Sequence, residues 1–562
     1  MSENWLEGVD FPSGMSEEAL STLRKGYLSP GESPRDMYLR VAKTAAKILS
    51  MPELEGKLFD YLFKQYICLA TPVAANFGTN RGLGISCYSS AHVSDSIDSI
   101  MWNLTEVAKC SQYGGGTSVY VGEIRPKGSP VSRGGESDGV VPFLKMFESV
   151  ISGISQSGTR RGVIAAYLDI EHEDFHSFID IRRPTGDSEQ KCLTPAFHHG
   201  VCISDNFMLK LLSGDDESRL RWFKLMRVRL ETGEPYIFFT GNANKGLEKG
   251  SPDWVHGSNV CTEIYIPSTP EETAICCLSS MNLAKYDEWK DTDAPEVLVY
   301  LLEAVLDEFI EKTEYINGFE RPRKFAINKR AIGCGALGWH TLLQQKMFAF
   351  DSFKAMQLNN EIFRLIRDKT DKASLELGKL RGAITKDGKR NYRLRAVAPT
   401  VSNSIISGGV SQGIEPITAN VFLQNSAKGS FLKKNKILEK LLESKGQNTF
   451  EVWNSISSNQ GSVQHLDFLS QEEKDVFKTA REIDQRAIIR QAAQRQVYID
   501  QGQSVNLFFT SDAPPSYINK VHLLAHELGL KSLYYCRSLP AIQIAGSSVD
   551  YSDDAGCKSC EG

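Results

Sequence analysis

Apolar positions near the start of the chain recur at helical spacing on a polar background. The stretch Ser33–Leu49 (SPRDMYLRVAKTAAKIL) predicts a helix, with Ser33 placed as its cap and Pro34 at its first position. From Thr71 the pattern changes to short apolar or β-rich runs set apart by glycines: TPVAANFG, GGGTSVYVGEI, RRGVIAAYLDI and PYIFFTG. Helical patterns such as VPFLKMFESVISGI and DNFMLKLLS fall between them. Strands alternating with helices predict parallel α/β construction rather than a sandwich. The alternation continues through VLVYLLEAVLDEFIEKTEYI to SVNLFF and the helix before SLYY. After Ile544 the chain reads AGSSVDYSDDAGCKSCEG, small, acidic and without an apolar period, which predicts a mobile tail. Residues 1–70 therefore form a helical region, 71–545 the α/β body and 546–562 the tail.

Composition narrows the class without naming a function. Of 562 residues 41% are apolar and 24% charged, with a net charge of −5. That is an ordinary globular balance, which excludes disorder, collagen-like repeats and coiled coil as global descriptions. The mildly acidic charge leaves no footprint for bulk nucleic acid. The polar, acidic N-terminus MSENWLEGVDFPSG is neither a signal nor a transit peptide, and no apolar run is long enough to span a membrane. The expected compartment is the cytoplasm, where the 12 cysteines stay reduced unless chemistry uses them.

The cysteines point to that chemistry. Cys557 and Cys560 form a Cys-x-x-Cys pair in the tail. Such a pair is half a zinc site, an inert pair, or a dithiol shuttle that exchanges with a buried disulfide. A shuttle needs an internal partner. Cys87 in GISCYSS and Cys276 or Cys277 in AICCLSSMNLA are the candidates. Cys261 lies in SNVCTEI with Asn259 and Glu263 at alternate positions, so an extended backbone points all three side chains to one face. Thiol, amide and carboxylate there can serve as radical or nucleophile, orienter and general base. The plainer alternative is that each cysteine is a small core residue.

Other motifs compete. Gly333-Cys-Gly335-Ala-Leu-Gly338 fits the dinucleotide turn G-x-G-x-x-G, although the preceding FAINKRAI is a polar strand at best. His172 and His176 in EHEDFHSF share a helical face, among enough carboxylates to favour a solvated surface. No G-x-x-x-x-G-K-[ST] occurs, which excludes a P-loop NTPase. The run Pro399-Thr400-Val401-Ser402-Asn403-Ser404, followed by Gly413-Ile-Glu-Pro416, offers hydroxyls and N–H groups suited to a phosphate. Tyr534 and Tyr535 in KSLYYCR are packing residues or, beside thiol chemistry, electron carriers.

In order along the chain, TPVAANFG, GISC, GSPVSRGGE, SQSGTRRG, SNVCTEI, CCLSSMNL, APTVSNS with GIEP, LYY and the tail cysteines resemble the large catalytic subunit of ribonucleotide reductase. The resemblance implies a ten-stranded α/β barrel of two five-stranded parallel halves, oppositely oriented, with a finger loop at the centre. It implies that Cys261 becomes a thiyl radical and takes the 3′ hydrogen of a ribonucleotide. Glu263 would take the 3′-hydroxyl proton and Asn259 orient the substrate. Cys87 and Cys276 would protonate the leaving 2′-hydroxyl and end as a disulfide; the family spacing Cys-x-Leu-Ser selects Cys276 over Cys277. Substrate phosphates would lie on Pro399–Ser404, with Thr71 and Ser86 near the ribose. Cys557 and Cys560 would re-reduce the barrel disulfide and be reduced by thioredoxin or glutaredoxin.

The tyrosine pair matches the radical relay of class I enzymes, in which a metal-containing small (β) subunit supplies the radical and the large chain binds no cofactor of its own. Asp95, Arg125 and Arg133 match a dNTP/ATP specificity site, and Gln156–Gly162, with Gln156 and Arg160, the loop that reports the effector to the substrate base. The match starts so close to Met1 that no N-terminal ATP-cone is expected. A homodimer making DNA precursors, with no membrane and no bound nucleic acid, completes the expectation. The alternatives are an adenosylcobalamin-dependent reductase, an NAD-linked oxidoreductase using Gly333–Gly338, and an idle nucleotide-binding regulatory subunit.

Overall fold

The computed structural model of the protein describes residues 10–12, 15–132, 134–154, 162–183, 196–426 and 429–538. Helices over Glu17–Gly26, Pro34–Leu49 and Glu53–Phe63 lead in. The second starts where the sequence places it. The Asp36 N–H donates to Ser33 Oγ and the Ser33 N–H donates to Asp36 Oδ2, a reciprocal cap at 3.2 and 3.1 Å.

The described strands are, in chain order, β1 (Ile67–Leu69), β2 (Cys87–His92), β3 (Gly116–Tyr120), β4 (Val163–Asp169), β5 (Phe197–Ile203), β6 (Tyr236–Phe239), β7 (Ala274–Asn282), β8 (Ile332–Leu337), β9 (Val421–Ser426), β10 (Gly429–Lys434), β11 (Leu507–Phe509), β12 (Ser532–Leu533) and β13 (Cys536–Ser538). β2 to β6 pair in parallel and in sequence order, with helices in every connection. β7 and β8 begin a second parallel half. The Ile332 and Cys334 N–H groups donate to Arg393 and Leu394 carbonyls at 3.0 and 2.7 Å, so residues 393–397 extend it. Val397 bridges Gln503 in parallel, and β11 pairs in parallel with β13.

The halves meet antiparallel at two seams, β2 against β7 and β6 against β12. With 393–397 and 501–509 as strands and β12–β13 as one, each half has five and the ring closes. β1 lies outside it on β7, and Val421, at the start of the β9–β10 pair, joins a satellite core built around Trp453.

Period-2 alternation divides the side chains between two interiors. Val163, Ala165 and Tyr167 of β4, with Tyr236 and Phe238 of β6, face the barrel's centre. Ile164, Ala166, Leu168, Ile237 and Phe239 face outward into the main core beneath the helices.

Two strand expectations are corrected. TPVAAN is a helix, Thr71–Asn76, with Pro72 in its first turn. FAINK falls in the helix Glu320–Lys329, with Arg330 as its left-handed cap. Over six residues a period of 2 and one of 3.6 are hard to separate, and the flanking chain decides. Among the described residues no helix is long and apolar enough to cross a membrane.

Candidate active site

Between β6 and β7 the chain runs into the barrel instead of around it. Val255, Val260, Cys261 and Tyr265 belong to the aromatic cluster that fills the centre. The tip is not extended. The Thr262 N–H donates to the Asn259 carbonyl at 3.3 Å, and Thr262 takes φ +66°, so a tight turn brings the three side chains together. Asn259 organises that turn: its Oδ1 accepts from the Glu263 and Ile264 N–H groups at 3.0 and 3.2 Å. Its Nδ2 donates to Cys87 Sγ at 3.1 Å.

The tip faces an open cavity at one barrel mouth. Asn259, Cys261, Glu263, Cys87 and Cys276 line it, as do Thr71, Ser86, Pro399, Thr400 and Asn403. Val401, Ser402 and Ser404 of the expected phosphate run do not. They belong to the helix Val401–Ile406, where Ser404 Oγ turns back onto the Val401 carbonyl at 2.8 Å.

Cys87 and Cys276 are Cα partners across the β2–β7 seam. Burial pushes the Cys276 thiol well above its ordinary pKa, and Cys87, Cys277 and Glu263 push the same way. It therefore stays protonated near neutral pH and holds a hydrogen to give. Cys277 does not line the cavity; it is fully buried in the main core.

The Gly333–Gly338 motif is not a dinucleotide turn. Gly333–Leu337 lie in β8, buried throughout, and Gly338 caps the helix that follows. A Cβ on Gly333 would stand 2.2 Å from Leu278 Cδ2 and 3.1 Å from Cys276 Sγ. These glycines exist because neighbouring groups press against the strand. Gly333→Ala is expected to cost ~1–3 kcal/mol of stability, read by thermal unfolding, and to displace the Cys276 thiol. His172 and His176 do not share a helical face either. Only His176 lies in the helix Phe175–Ile179, and His172 Nε2 sits 3.0 Å from the Ile124 carbonyl.

Tyr534 and Tyr535 lie between β12 and β13, in the same central cluster as Cys261. Their ring centroids are 4.3 Å apart. A third phenol absent from the sequence reasoning, Tyr236 of β6, stands 4.8 Å from Tyr534 and 5.2 Å from Tyr535. Its only signal was an aromatic residue in a buried strand. The Tyr535 N–H donates to Asn506 Oδ1 at 2.9 Å, and Asn506 Nδ2 donates to Glu415 Oε1 at 2.6 Å. Burial raises the Glu415 carboxyl to about 7 against the opposing pull of Arg537 and the Asn506 bond.

Asp95 and Arg125 lie away from the cavity and pair with each other at 2.7 Å on the surface. Arg133, Gln156, Arg160, Cys557 and Cys560 fall outside the described residues.

The family described as "Ribonucleotide reductase, barrel domain" matches residues 85–221, 216–385 and 378–536, and "Ribonucleotide reductase, all-alpha domain" matches 14–82. A Frog virus 3 protein is 37% identical over 552 residues, 94% of this chain and of its own. The ribonucleoside-diphosphate reductase large subunit of Invertebrate iridescent virus 3 is 32% identical, covering 97% of this chain and 98% of its own. Among solved structures, the Actinobacillus ureae class Id ribonucleotide reductase alpha subunit superposes with a TM-score of 0.87 at 44% identity, over 95% of this chain and 99% of that one.

Proposed function

The chain belongs to the ribonucleotide reductase large-subunit family, and from that premise we propose how its own residues carry out the reduction. It is the catalytic subunit of a ribonucleoside-diphosphate reductase, of the class that works with a separate small subunit. The family match does not favour the cobalamin-dependent alternative, and the NAD-linked alternative loses its only motif at β8.

Cys261, as a thiyl radical, removes the 3′ hydrogen of the bound ribose. Glu263 accepts the 3′-hydroxyl proton while Asn259 holds the tip. The protonated seam thiols, Cys87 and Cys276, supply the proton with which the 2′-hydroxyl leaves as water. They then supply two electrons and a second proton to the substrate and join as a disulfide. Glu263 returns the 3′-hydroxyl proton, and Cys261 returns the 3′ hydrogen and is a radical again. The observation that carries this reading is the pairing of Cys87 with Cys276 across the seam, on the same cavity as Cys261 and Glu263. Diphosphate binding on Pro399, Thr400 and Asn403, and ribose contacts from Thr71 and Ser86, follow from their place on that cavity.

The one-electron oxidant comes from the small subunit by way of Tyr535 and Tyr534. A docking surface for that subunit lies on the helices Asp205–Ser213 and Asp216–Thr232, where Leu209, Leu212, Leu220 and Phe223 are exposed. Trp222 Nε1 donates to Asn519 Oδ1 at 2.7 Å, tying this pair to the helix that precedes the tyrosines. A second exposed apolar face, with Ile97, Met101, Trp102 and Met146, adjoins Asp95 and Arg125 and suits a homodimer with a dNTP or ATP effector at its border.

The test is a reductase assay with and without a purified small subunit. Activity only with it supports the reading; activity with adenosylcobalamin alone overturns the relay. Cys557→Ser with Cys560→Ser is expected to spare a single turnover but stop repeated turnover with thioredoxin, while a small dithiol that enters the barrel restores it. Equal loss with both reductants excludes the shuttle.

A further inference from the structure

The finger tip is held by hydroxyls. Ser118 Oγ on β3 donates to the Ser258 carbonyl at 2.6 Å, and Tyr167 OH on β4 to the Asn259 carbonyl at 2.7 Å. From the other half, Ser532 Oγ on β12 donates to the Thr262 carbonyl at 3.0 Å, and Ser504 Oγ to the Cys261 carbonyl at 2.5 Å. With those carbonyls turned to the wall, Asn259, Cys261 and Glu263 are presented to the cavity. Ser504 differs from the other three: its Oγ is also 3.3 Å from Glu263 Oε2. It is 2% exposed, and its N–H is fixed on the Val397 carbonyl at 2.9 Å. A hydroxyl has one hydrogen to donate, and here two acceptors compete for it.

We propose that Ser504 is a positioning residue that couples the protonation of Glu263 to the backbone of Cys261. The inference rests on the roles assigned above to those two residues. While Glu263 is a carboxylate, it and the Cys261 carbonyl share the Ser504 hydrogen. When Glu263 takes the 3′-hydroxyl proton, its carboxyl donates to Ser504 Oγ, and the serine hydrogen goes wholly to the Cys261 carbonyl. No covalent bond to Ser504 changes, and the proton stays on Glu263 until it is returned. The finger is thus held most firmly while the substrate is a radical and Cys261 must be in place to give its hydrogen back. Titratable groups facing Glu263 include Cys276 on β7, Tyr167 on β4 and Tyr265 on the finger, with the Lys531 ammonium over the Tyr265 ring at 5.2 Å, and Cys87 and Cys261 line the same cavity.

The experiment uses the full chain with its small subunit and a small dithiol as reductant, so that the tail plays no part. Ser504→Ala is expected to lower kcat about ten- to a hundredfold with KM changed less than about threefold. Because Ser504 binds the protonated carboxyl better than the carboxylate, its loss favours the carboxylate, and the acid limb of kcat/KM should move down by about one pH unit. Ser504→Thr should restore both. Tyr167→Phe removes a tip bond that does not reach Glu263, so it should lower kcat and leave the limb in place. Ser504→Gly, read the same way, is the second variant. An unmoved limb in Ser504→Ala, or the same shift in Tyr167→Phe, overturns the proposal. Glu263→Gln is run alongside: retained turnover there overturns the role of Glu263 itself, whereas its loss beside an unmoved Ser504→Ala limb overturns the Ser504 proposal alone.

Discussion

Cys261→Ser is expected to abolish reductase turnover, a loss of about a thousandfold or more, with the small subunit and reductant both present. Serine is smaller by little and keeps a hydrogen-bonding side chain, so the turn closed by Thr262 and held by Asn259 persists. What changes is the bond that must break and re-form. A thiol S–H is close enough in strength to a sugar C–H for hydrogen to pass both ways, whereas an alcohol O–H is far stronger. An alkoxyl radical could not be made from the tyrosine pair and would not return what it took. Substrate binding, measured by equilibrium dialysis of a ribonucleoside diphosphate, should be almost unchanged. Turnover retained in this variant would exclude radical chemistry at Cys261, and lost binding would show that the change had disturbed the site rather than the chemistry.

Tyr534→Phe comes second. It should remove small-subunit-dependent turnover by about a hundredfold or more while leaving the melting temperature within ~2 °C. The ring remains, so its contacts with Tyr535 at 4.3 Å and Tyr236 at 4.8 Å are kept. Only the phenol, the group that oxidises reversibly by giving up an electron and a proton together, is gone. Rapid-freeze electron paramagnetic resonance should show no radical arriving on substrate when a mechanism-based nucleotide inhibitor is supplied. Tyr236→Phe provides the contrast: it alters the same aromatic cluster without belonging to the paired motif, and it should retain most activity. Equal loss in both variants would point to packing and not to electron transfer.

Much of the site was legible because its chemistry is concentrated in short motifs. Asn259, Cys261 and Glu263 lie within five residues, and two adjacent tyrosines and two cysteine segments stand out in any reading. Their local shape was not legible. An extended SNVCTEI would put all three side chains on one face, but buried hydroxyls from both barrel halves and an asparagine side chain hold the segment in a turn. Gly333–Gly338 misled for the opposite reason. Glycine pairs are used for phosphate loops and for close strand contacts alike, and nothing local separates the two. Ser118, Ser504 and Ser532 carried no signal at all. A serine is informative only once its neighbours are known.

The sequence by itself determined which groups are available, the thiols, the carboxylate and the phenols, and the alternation that makes a parallel α/β body. It also set the Ser33 cap and the helix that follows, because a cap is satisfied within a few residues. The tertiary structure alone decided which groups meet. Cys87 faces Cys276 because two parallel half-barrels join antiparallel at β2 and β7, a register fixed by backbone hydrogen bonds between segments far apart in the chain. The same closure left a cavity at one mouth and put Tyr534 and Tyr535 in the centre beside Cys261. Covalent proximity orders a motif; only burial inside a closed sheet, where polar groups must find partners, brings distant motifs onto one substrate.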